Sequence, residues 1–482
     1  MADTIGRRSF LGRAGVFAGG AVVSTTALQR LTASAAYAQK GSNDKKGPNT
    51  GNPKAGYGPL EPQGDQNGDK ILALPAGFTY VTFSKTASDL LSGGGVVPRN
   101  HDGMGAFPGP DGSVRLIRNH ENRNDPGDPT LGVPGPEDTR YDPLAFGGTI
   151  TVDYDTGAKE TVREFVSLNG TTVNCAGGLA LEECGWITCE ETVAGPDDGF
   201  ERKHGYAFLV PVDAGETVPA VPVLAMGRFK HEAVAVDPAT GIVYETEDNG
   251  DNSGFYRFLP EDPSDLTAGG TLQMLAVASQ SNYDTIRNQQ VGQRLTVRWV
   301  DIAEPDPDLE GGASNVFDQG ADGGGARFNR LEGIWWGDDS CFFNSTSGGN
   351  AGLGQVWEYQ PAGKKGGTLT LVYESPEGSV LDSPDNLLVT PRGGIVLCED
   401  DASNDGDTHP LAPGITDVNR LIGLEEKGEP FEFAVNRLND SEFAGACFSP
   451  DGEVMFVNIF GDATPDSGMT CAITGPWADG PL

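Results

Sequence analysis

The sequence predicts an all-β fold, a β-propeller of about six blades with loop insertions, preceded by an N-terminal export signal. Glycine and proline number 69 and 33 among 482 residues, and glycine is spread along the chain, as in proteins with many turns between short strands. A weak repeat of turn, apolar strand and polar strand end recurs along the chain. Few stretches show the helical period of apolar residues, so the sequence does not support a helical domain.

Residues 1–38 are predicted to be a twin-arginine export signal. The pair Arg7-Arg8 precedes a modestly apolar stretch from Ala14 to Ala27, and Ala36-Tyr37-Ala38 offers small residues for cleavage. The apolar stretch is too short and too rich in Gly and Thr to span a membrane. We therefore expect the twin-arginine export machinery as a partner, no transmembrane segment, and a periplasmic or extracellular location.

The rest of the chain is predicted to form one domain after a short leading segment. Residues 39–70 are rich in Gly, Pro, Asn, Lys and Asp, and we expect a flexible or wrapping segment there. Residues 71–482 are expected to form a single β-propeller domain, because the repeat runs through them without an obvious linker.

The repeat also predicts where a site would lie. Subtracting the positions of neighbouring polar strand ends gives steps of 69, 57, 97, 55 and 59 residues, which suit four-stranded blades. The long step contains residues 280–325, predicted to be an inserted loop. In a propeller such ends converge on one axial mouth, where cations must offset their repulsion. The six strand ends are Glu121, Glu190, Glu247, Asn344, Glu399 and Asn458.

The charge of the chain restricts its partners. The formal net charge is -36, from 33 Lys and Arg against 69 Asp and Glu. Such acidity repels phosphate groups and argues against binding to nucleic acid or to an anionic membrane. An anionic substrate would therefore need a local cation, and bound metal is the natural candidate.

A thiol and two carboxylates lie close together in the sequence between Asn174 and Glu191. Cys175 offers a soft metal ligand, whereas Glu190 and Glu191 offer hard ones, so this segment can form a site for more than one kind of metal. Taken alone, a buried cysteine beside a surface pair of glutamates is the more frequent explanation.

Three further motifs carry candidate ligands. Arg330 and Glu332 are two apart and share one face of a strand, where an arginine fork suits a tetrahedral anion and a glutamate suits a metal; a surface ion pair explains the spacing equally well. Glu232 follows His231, and only one of the two faces a given site. Asp385 supplies oxygen of the kind that calcium prefers, although for this motif taken alone an ordinary Asx turn is the more frequent explanation.

Together these segments resemble the PhoX family of bacterial alkaline phosphatases, in family order over nearly the whole mature chain. The matching segments are the twin-arginine leader, Leu74–Phe78, Arg118–Glu121, Asn174–Gly178, Thr188–Glu191, Phe229–Ala233, Thr246–Asp248, Arg330–Gly333, Pro384–Leu387 and Cys398–Asp400.

The resemblance implies a six-bladed propeller whose axial site holds two Fe³⁺ and several Ca²⁺ ions and hydrolyses phosphate monoesters. It implies that Cys175 is a thiolate ligand of iron and that Asn119 and Arg330 grip the phosphate. We expect the protein to be a monomer. Carboxylate ligands are implied at Glu190, Glu232 and Glu332, and calcium ligands at Glu191, Glu247, Asp385, Glu399 and Asp400.

The chain departs from the family pattern at four places. The turn from Leu181 to Gly185 replaces a Pro-Trp-Gly-Thr-Trp stretch, and Leu331 stands where the family usually has proline. The strand that ends at Asn458 lacks the following His-Pro, and no basic residue stands near Ser167. These changes concern substrate range and rate more than fold or metal binding.

Two other functions compete with a phosphatase. A calcium-dependent propeller lactonase or esterase would need calcium and a catalytic His or Asp, but no thiolate. A non-catalytic, calcium-stabilised propeller would bind a partner or a surface. Replacement of Cys175 separates these hypotheses, because only the phosphatase requires a thiolate ligand.

Overall fold

The computed structural model describes residues 56–482 except 124, 364, 401, 402, 404, 426 and 427. The predicted export signal, residues 1–38, lies outside the described residues. No helix in the described part of the chain is long and apolar enough to cross a membrane. The described residues form 26 strands and one short α-helix, α1 (Val316–Asp322), which confirms the all-β prediction.

The strands are short and antiparallel to their neighbours. In chain order they are β1 (Leu60–Gln63), β2 (Leu72–Pro75), β3 (Thr79–Phe83), β4 (His101–Pro108), β5 (Val114–His120), β6 (Gly147–Asp155), β7 (Glu160–Thr171), β8 (Asn174–Leu179), β9 (Gly185–Glu190), β10 (Ala207–Pro211), β11 (His231–Val236), β12 (Val243–Glu247), β13 (Phe255–Pro260), β14 (Gly270–Val277), β15 (Arg294–Asp301), β16 (Leu331–Gly337), β17 (Ser340–Ser345), β18 (Gln355–Pro361), β19 (Gly367–Glu374), β20 (Pro384–Val389), β21 (Ile395–Glu399), β22 (Arg420–Leu424), β23 (Pro430–Asn436), β24 (Phe443–Phe448), β25 (Val454–Ile459) and β26 (Met469–Thr474).

The described strands pair into five sheets in a propeller-like arrangement. The strand orders are β4-β5-β6-β7, β10-β9-β8, β24-β25-β26-β3, β1-β2-β23-β22-β21-β20, and a nine-stranded β11-β12-β13-β14-β15-β19-β18-β17-β16. The strands β4, β8, β11, β16, β20 and β24 each contact the next, and β24 contacts β4, so they form a closed ring. These six strands are called the inner strands below.

Apolar side chains fill the space between neighbouring sheets. Trp186 of β9, for example, packs in one buried cluster with Phe107 and Ile117 of the β4–β7 sheet. The nine-stranded sheet packs against itself: the rings of Phe255 in β13 and Phe343 in β17 stack with centroids 4.5 Å apart. Burial of such surfaces stabilises the arrangement by roughly 25 cal/mol per Å² of apolar area.

One segment differs in detail from its predicted character. Residues 280–325, predicted to be an inserted loop, contain β15 and α1, and β15 hydrogen-bonds to both β14 and β19. Glycine and acidic residues obscure the strand period there, and pairing with the neighbouring strands supplies the order. In the described part of the segment 39–70, β1 forms an edge strand beside β2, and the flexible or wrapping character of this segment stays a prediction.

Candidate metal centre

Acidic side chains and one thiol gather at one end of the ring of inner strands. The second residue of five inner strands is an oxygen or sulfur ligand, and these residues are Asp102, Cys175, Glu232, Glu332 and Asp385. All five are buried. Because the inner strands surround one axis, their equivalent ends bring these side chains together.

A bulge at the start of each inner strand aims these ligands. In β8, Asn174 pairs with Glu190 but Gly177 pairs with Thr188, so Cys175 and Ala176 together oppose one residue. The same shift occurs at the start of β4, β11, β16, β20 and β24. A bulge bends its strand and redirects a side chain. Five of the six bulges therefore present a metal-binding side chain.

Glycine makes close approach of the inner strands feasible at two bulges. A Cβ atom on Gly103, next to Asp102, would lie 2.6 Å from the Cα of Ala176 in β8. Gly445 occupies the ligand position of the β24 bulge with a φ of +61°, and a Cβ there would lie 2.4 Å from the carbonyl oxygen of Asp102. Side chains at these glycines would push the strands apart.

A second set of acidic residues lies just beyond strand ends at this same end of the ring, which is called the mouth below. Glu121 follows β5, Glu191 follows β9, Asp248 follows β12 and Asp400 follows β21, whereas Glu442 directly precedes β24. All of the second set except Asp248 form overlapping groups with the first set, and the ligand atoms within each group lie within 4.8 Å of one another. These groups are Asp102–Glu121–Cys175, Cys175–Glu191–Glu232, Glu232–Glu332–Asp385 and Asp385–Asp400–Glu442.

The buried carboxylates of these groups repel one another, and bound cations would offset this repulsion. Burial, followed by repulsion from Asp385 and Glu191, raises the pKa of Glu232 well above its usual range. Burial and the charge of Asp400 likewise raise the pKa of Asp385 to about 7. The buried Oε2 of Glu232 has no hydrogen-bond partner among the described residues. Unpaired, repelling carboxylates of this kind fit bound metal, because multivalent cations offset the burial cost.

The thiol lies among the hard ligands. The Sγ of Cys175 donates a hydrogen bond to Oε1 of Glu232 at 3.3 Å. Burial, together with the charges of Asp102 and Glu232, raises the pKa of the Cys175 thiol well above its usual range. A neutral thiol is a poor ligand, so a metal ion must provide the charge that turns this side chain into a thiolate.

Two arginines reach the mouth. Nε of Arg330 donates to Asp248 at 3.1 Å, and its Nη2 pairs with Glu332 at 2.9 Å. Arg123 donates to Glu121, and its Nη2 donates to Oε2 of Glu191 at 2.8 Å. The mouth therefore offers cationic forks beside the candidate ligands, which is what a tetrahedral oxyanion needs.

The structure places the side chain of Asn119 inside the protein, where it is fully buried. Its amide donates to the carbonyl oxygens of Cys175 at 2.9 Å and Ala176 at 2.7 Å, and it accepts from the indole of Trp186 at 3.0 Å. Asn119 thus holds the bulge of β8. Two other asparagines support other bulges in the same way. Asn344 donates to the carbonyl oxygen of Asp385 in β20, and Asn458 donates to the carbonyl oxygen of Asp102 in β4.

Three predicted ligands lie outside the groups, and each bonds to protein. Glu190 accepts from Nδ1 of His204 at 2.7 Å, Glu247 from the hydroxyl of Tyr256 at 2.6 Å, and Glu399 from Nε of Arg420 at 2.7 Å. Each is the last residue of its strand. Because side chains alternate along a strand, the next residues, Glu191, Asp248 and Asp400, face the mouth instead. Of the predicted ligands, the structure brings together Cys175, Glu191, Glu232, Glu332, Asp385 and Asp400.

Five functional candidates have no assigned site role in the sequence analysis: Asp102, Glu121, Arg123, Asp248 and Glu442. Glu121 is a repeat marker in the sequence, and Asp248 and Asp400 follow such markers directly. Asp102 occupies the same place in its strand as Cys175 and Glu232. The signal that could identify Asp102 is its place as the second residue of an inner strand, and the signal for Asp248 is its place directly after a marker.

The fold and the mouth define a propeller-like protein with buried carboxylates, one thiol and two arginines gathered at one end of the ring of inner strands. The family profile described as alkaline phosphatase PhoX matches residues 55–160 and 154–462. The chain therefore belongs to the alkaline phosphatase PhoX family and, by this membership, is a phosphatase.

The comparison with solved structures includes one with a TM-score above 0.5, which has a similar fold. PhoX of Pseudomonas fluorescens, in complex with vanadate, a transition state analogue, has a TM-score of 0.63 at 19% identity, covering 86% of this chain and 97% of that one. A luciferin-regenerating enzyme has a TM-score of 0.39 at 11% identity, covering 78% and 92%. A gluconolactonase from Xanthomonas campestris has 0.34 at 10%, covering 79% and 96%. No curated protein matches the chain by sequence.

Proposed function

We propose that this chain is an exported phosphomonoester hydrolase whose metal centre, of two Fe³⁺ and several Ca²⁺ ions, lies at the axial mouth. The single observation that carries the proposal is the set of overlapping ligand groups around Cys175, Glu232 and Asp385 in a chain of this family. The predicted twin-arginine signal supports export to the periplasm or the exterior, and the monomeric state stays a prediction.

The fold behind this proposal has six blades. The nine-stranded sheet counts as two blades, β11–β14 and β16–β19, which β15 joins at their outer edges. Six inner strands in a closed ring, each with a bulge at the same end, support that count. On this count the ligand groups encircle one axis, as the repeat in the sequence predicts.

The ligand groups at the mouth differ in their donor atoms. The groups that contain Cys175 combine a sulfur with carboxylates and suit iron, whereas the group of Asp385, Asp400 and Glu442 offers oxygen only and suits calcium. Bound metal ions would supply Lewis-acid polarisation of the phosphoryl oxygens and an activated oxygen nucleophile. The carboxylates would hold these ions, and protonation of Asp385 would weaken that hold.

Arg330 would bind the substrate rather than a metal. Its fork is anchored by Asp248 and Glu332, and 29% of its side chain is exposed at the mouth. An anchored fork can hold two oxygens of a phosphate and stabilise charge as the leaving oxygen departs. The anchor fixes the direction of the guanidinium, so little entropy is lost on binding.

The test combines metal analysis with a phosphatase assay. Protein exported from a host with a twin-arginine pathway should contain iron and calcium and release p-nitrophenol from p-nitrophenyl phosphate. A calcium chelator should abolish this activity, and vanadate should inhibit it. Calcium without iron, together with no phosphate release, would exclude the proposal. Hydrolysis of a lactone that survives replacement of Cys175 would instead favour the calcium-dependent lactonase.

A further inference from the structure

We infer that Arg123 is a second phosphate-binding residue, which acts with Arg330 on the substrate; the inference rests on the proposed function. The resemblance to the PhoX family implies that Asn119 and Arg330 grip the phosphate. In the structure, however, the amide of Asn119 is occupied by two backbone carbonyls and one indole. Asn119 therefore has no free N–H group for a phosphate, whereas Arg123 carries a cationic fork at the mouth.

Arg123 is held in place and still open to solvent. It lies three residues beyond the end of β5, and its guanidinium bonds to Glu121 and Glu191. Both carboxylates belong to the candidate metal-binding groups. Even so, 64% of the Arg123 side chain is exposed. Two anchors with an open outer face are the arrangement expected of a side chain that meets a ligand at a rim.

The anchors of the two arginines belong to neighbouring ligand groups. Arg123 is anchored on Glu121 and Glu191, whereas Arg330 is anchored on Asp248 and Glu332. Glu191 lies in a group with Glu232, and Glu332 lies in another group with the same Glu232. Both guanidinium groups are therefore held beside adjoining parts of one site.

This placement suits a phosphate monoester. The phosphoryl group of such an ester has three non-bridging oxygens and about two negative charges, so two forks can share it without competing for one oxygen. In an otherwise acidic mouth, a second fork also offsets the repulsion that the dianion meets on approach. Arg123 should contribute mainly to binding, because the open rim is where the intact substrate first arrives.

The experiment compares Arg123→Gln and Arg123→Lys with the wild-type holoenzyme. For p-nitrophenyl phosphate, we expect Arg123→Gln to raise KM about tenfold while kcat changes less than about threefold. The inhibition constant of inorganic phosphate should rise by a similar factor. Arg123→Lys keeps the charge but loses the fork, so its KM should fall between those of the wild type and Arg123→Gln.

Arg327→Gln is the matched control, because Arg327 forms a surface ion pair with Asp284 and its side chain is 42% exposed. It should leave KM and phosphate inhibition unchanged. Bound iron and calcium are measured in every variant. Loss of metal from Arg123→Gln would overturn the inference, since Arg123 would then only position Glu121 and Glu191. An unchanged KM and phosphate inhibition constant in a fully loaded variant would overturn it too. If the wild type itself releases no phosphate, the proposed function fails instead.

Discussion

The Sγ of Cys175 lies 3.3 Å from Oε1 of Glu232, although the two residues belong to different sheets. Each is the second residue of an inner strand, and each lies in a bulge that turns it toward the axis. A thiol and a carboxylate at this distance, both buried, can share a metal ion without movement of the backbone. The ring of inner strands thus brings together a candidate ligand pair from residues that are 57 positions apart.

Replacement of Cys175 by alanine should remove iron from the holoenzyme. The variant loses the one sulfur among the ligand groups, and we expect phosphatase activity to fall roughly 100-fold or more. Elemental analysis and the p-nitrophenyl phosphate assay measure the two effects. Cys184→Ala is the control, since Cys184 is an exposed free cysteine and its loss should change neither. Full iron content in Cys175→Ala would contradict its assignment as a ligand.

The metal-free protein should become less stable as the pH rises. Burial and the charge of Asp400 raise the pKa of Asp385 to about 7, above the ordinary value of 3.8. The folded state therefore favours the protonated form, and stability falls as the pH rises from about 4 through 7. Thermal unfolding with a chelator, at pH 5 and pH 8, measures this fall. Added calcium should remove much of it, and Asp385→Asn should weaken it; a pH-independent melting temperature in the chelator would refute the prediction.

The adjacent residues Glu190 and Glu191 should behave differently. Glu190 accepts hydrogen bonds from the backbone N–H groups of Thr172 and Gly205 and from His204, so Glu190→Gln should lower the free energy of unfolding by about 2 kcal/mol and keep the metal. Glu191→Gln should instead weaken metal binding about 10- to 100-fold with little loss of stability. Urea unfolding and metal titration, run on both variants, distinguish them. The reverse pattern would place Glu190 in the metal centre.

Asn119 should support the bulge rather than bind the substrate. Asn119→Ala leaves the carbonyl oxygens of Cys175 and Ala176 and the indole N–H of Trp186 without their partner, which should cost about 2 to 4 kcal/mol of unfolding free energy. In protein fully loaded with metal, KM should stay within about twofold of the wild type. Urea unfolding and steady-state kinetics test this. A raised KM at unchanged stability would assign Asn119 to the phosphate after all.

Gly445→Ala should disturb the β24 bulge. A Cβ atom at that position would lie 2.4 Å from the carbonyl oxygen of Asp102, and the φ of +61° already disfavours alanine. We expect a loss of about 2 to 4 kcal/mol in unfolding free energy. Gly452→Ala is the control for backbone strain alone: its φ is +74°, and its nearest contact is Pro391 at 3.5 Å, so it should cost about 1 kcal/mol. Equal losses in both variants would show that the approach to Asp102 is unimportant.

The sequence predicts the class of fold and most of the candidate ligands, but not the direction of each side chain. A carboxylate at the end of an apolar strand is visible in the sequence, yet whether Glu190 or Glu191 faces the axis depends on the parity of the strand. Asp102 escapes notice because its bulge is a pairing irregularity that only the partner strand reveals. Arg123 lies beyond a strand end, where no periodicity marks it.

The pairing of β3 with β26 joins two distant segments of the chain in one sheet. Residues 79–83 close the sheet that residues 469–474 complete. The first strand of that sheet, β24, contacts β4 and so completes the ring of inner strands. Because the ligand groups draw on residues from Asp102 to Glu442 around this ring, a cut that frees β26 should loosen β24 and weaken metal binding as well as removing a strand.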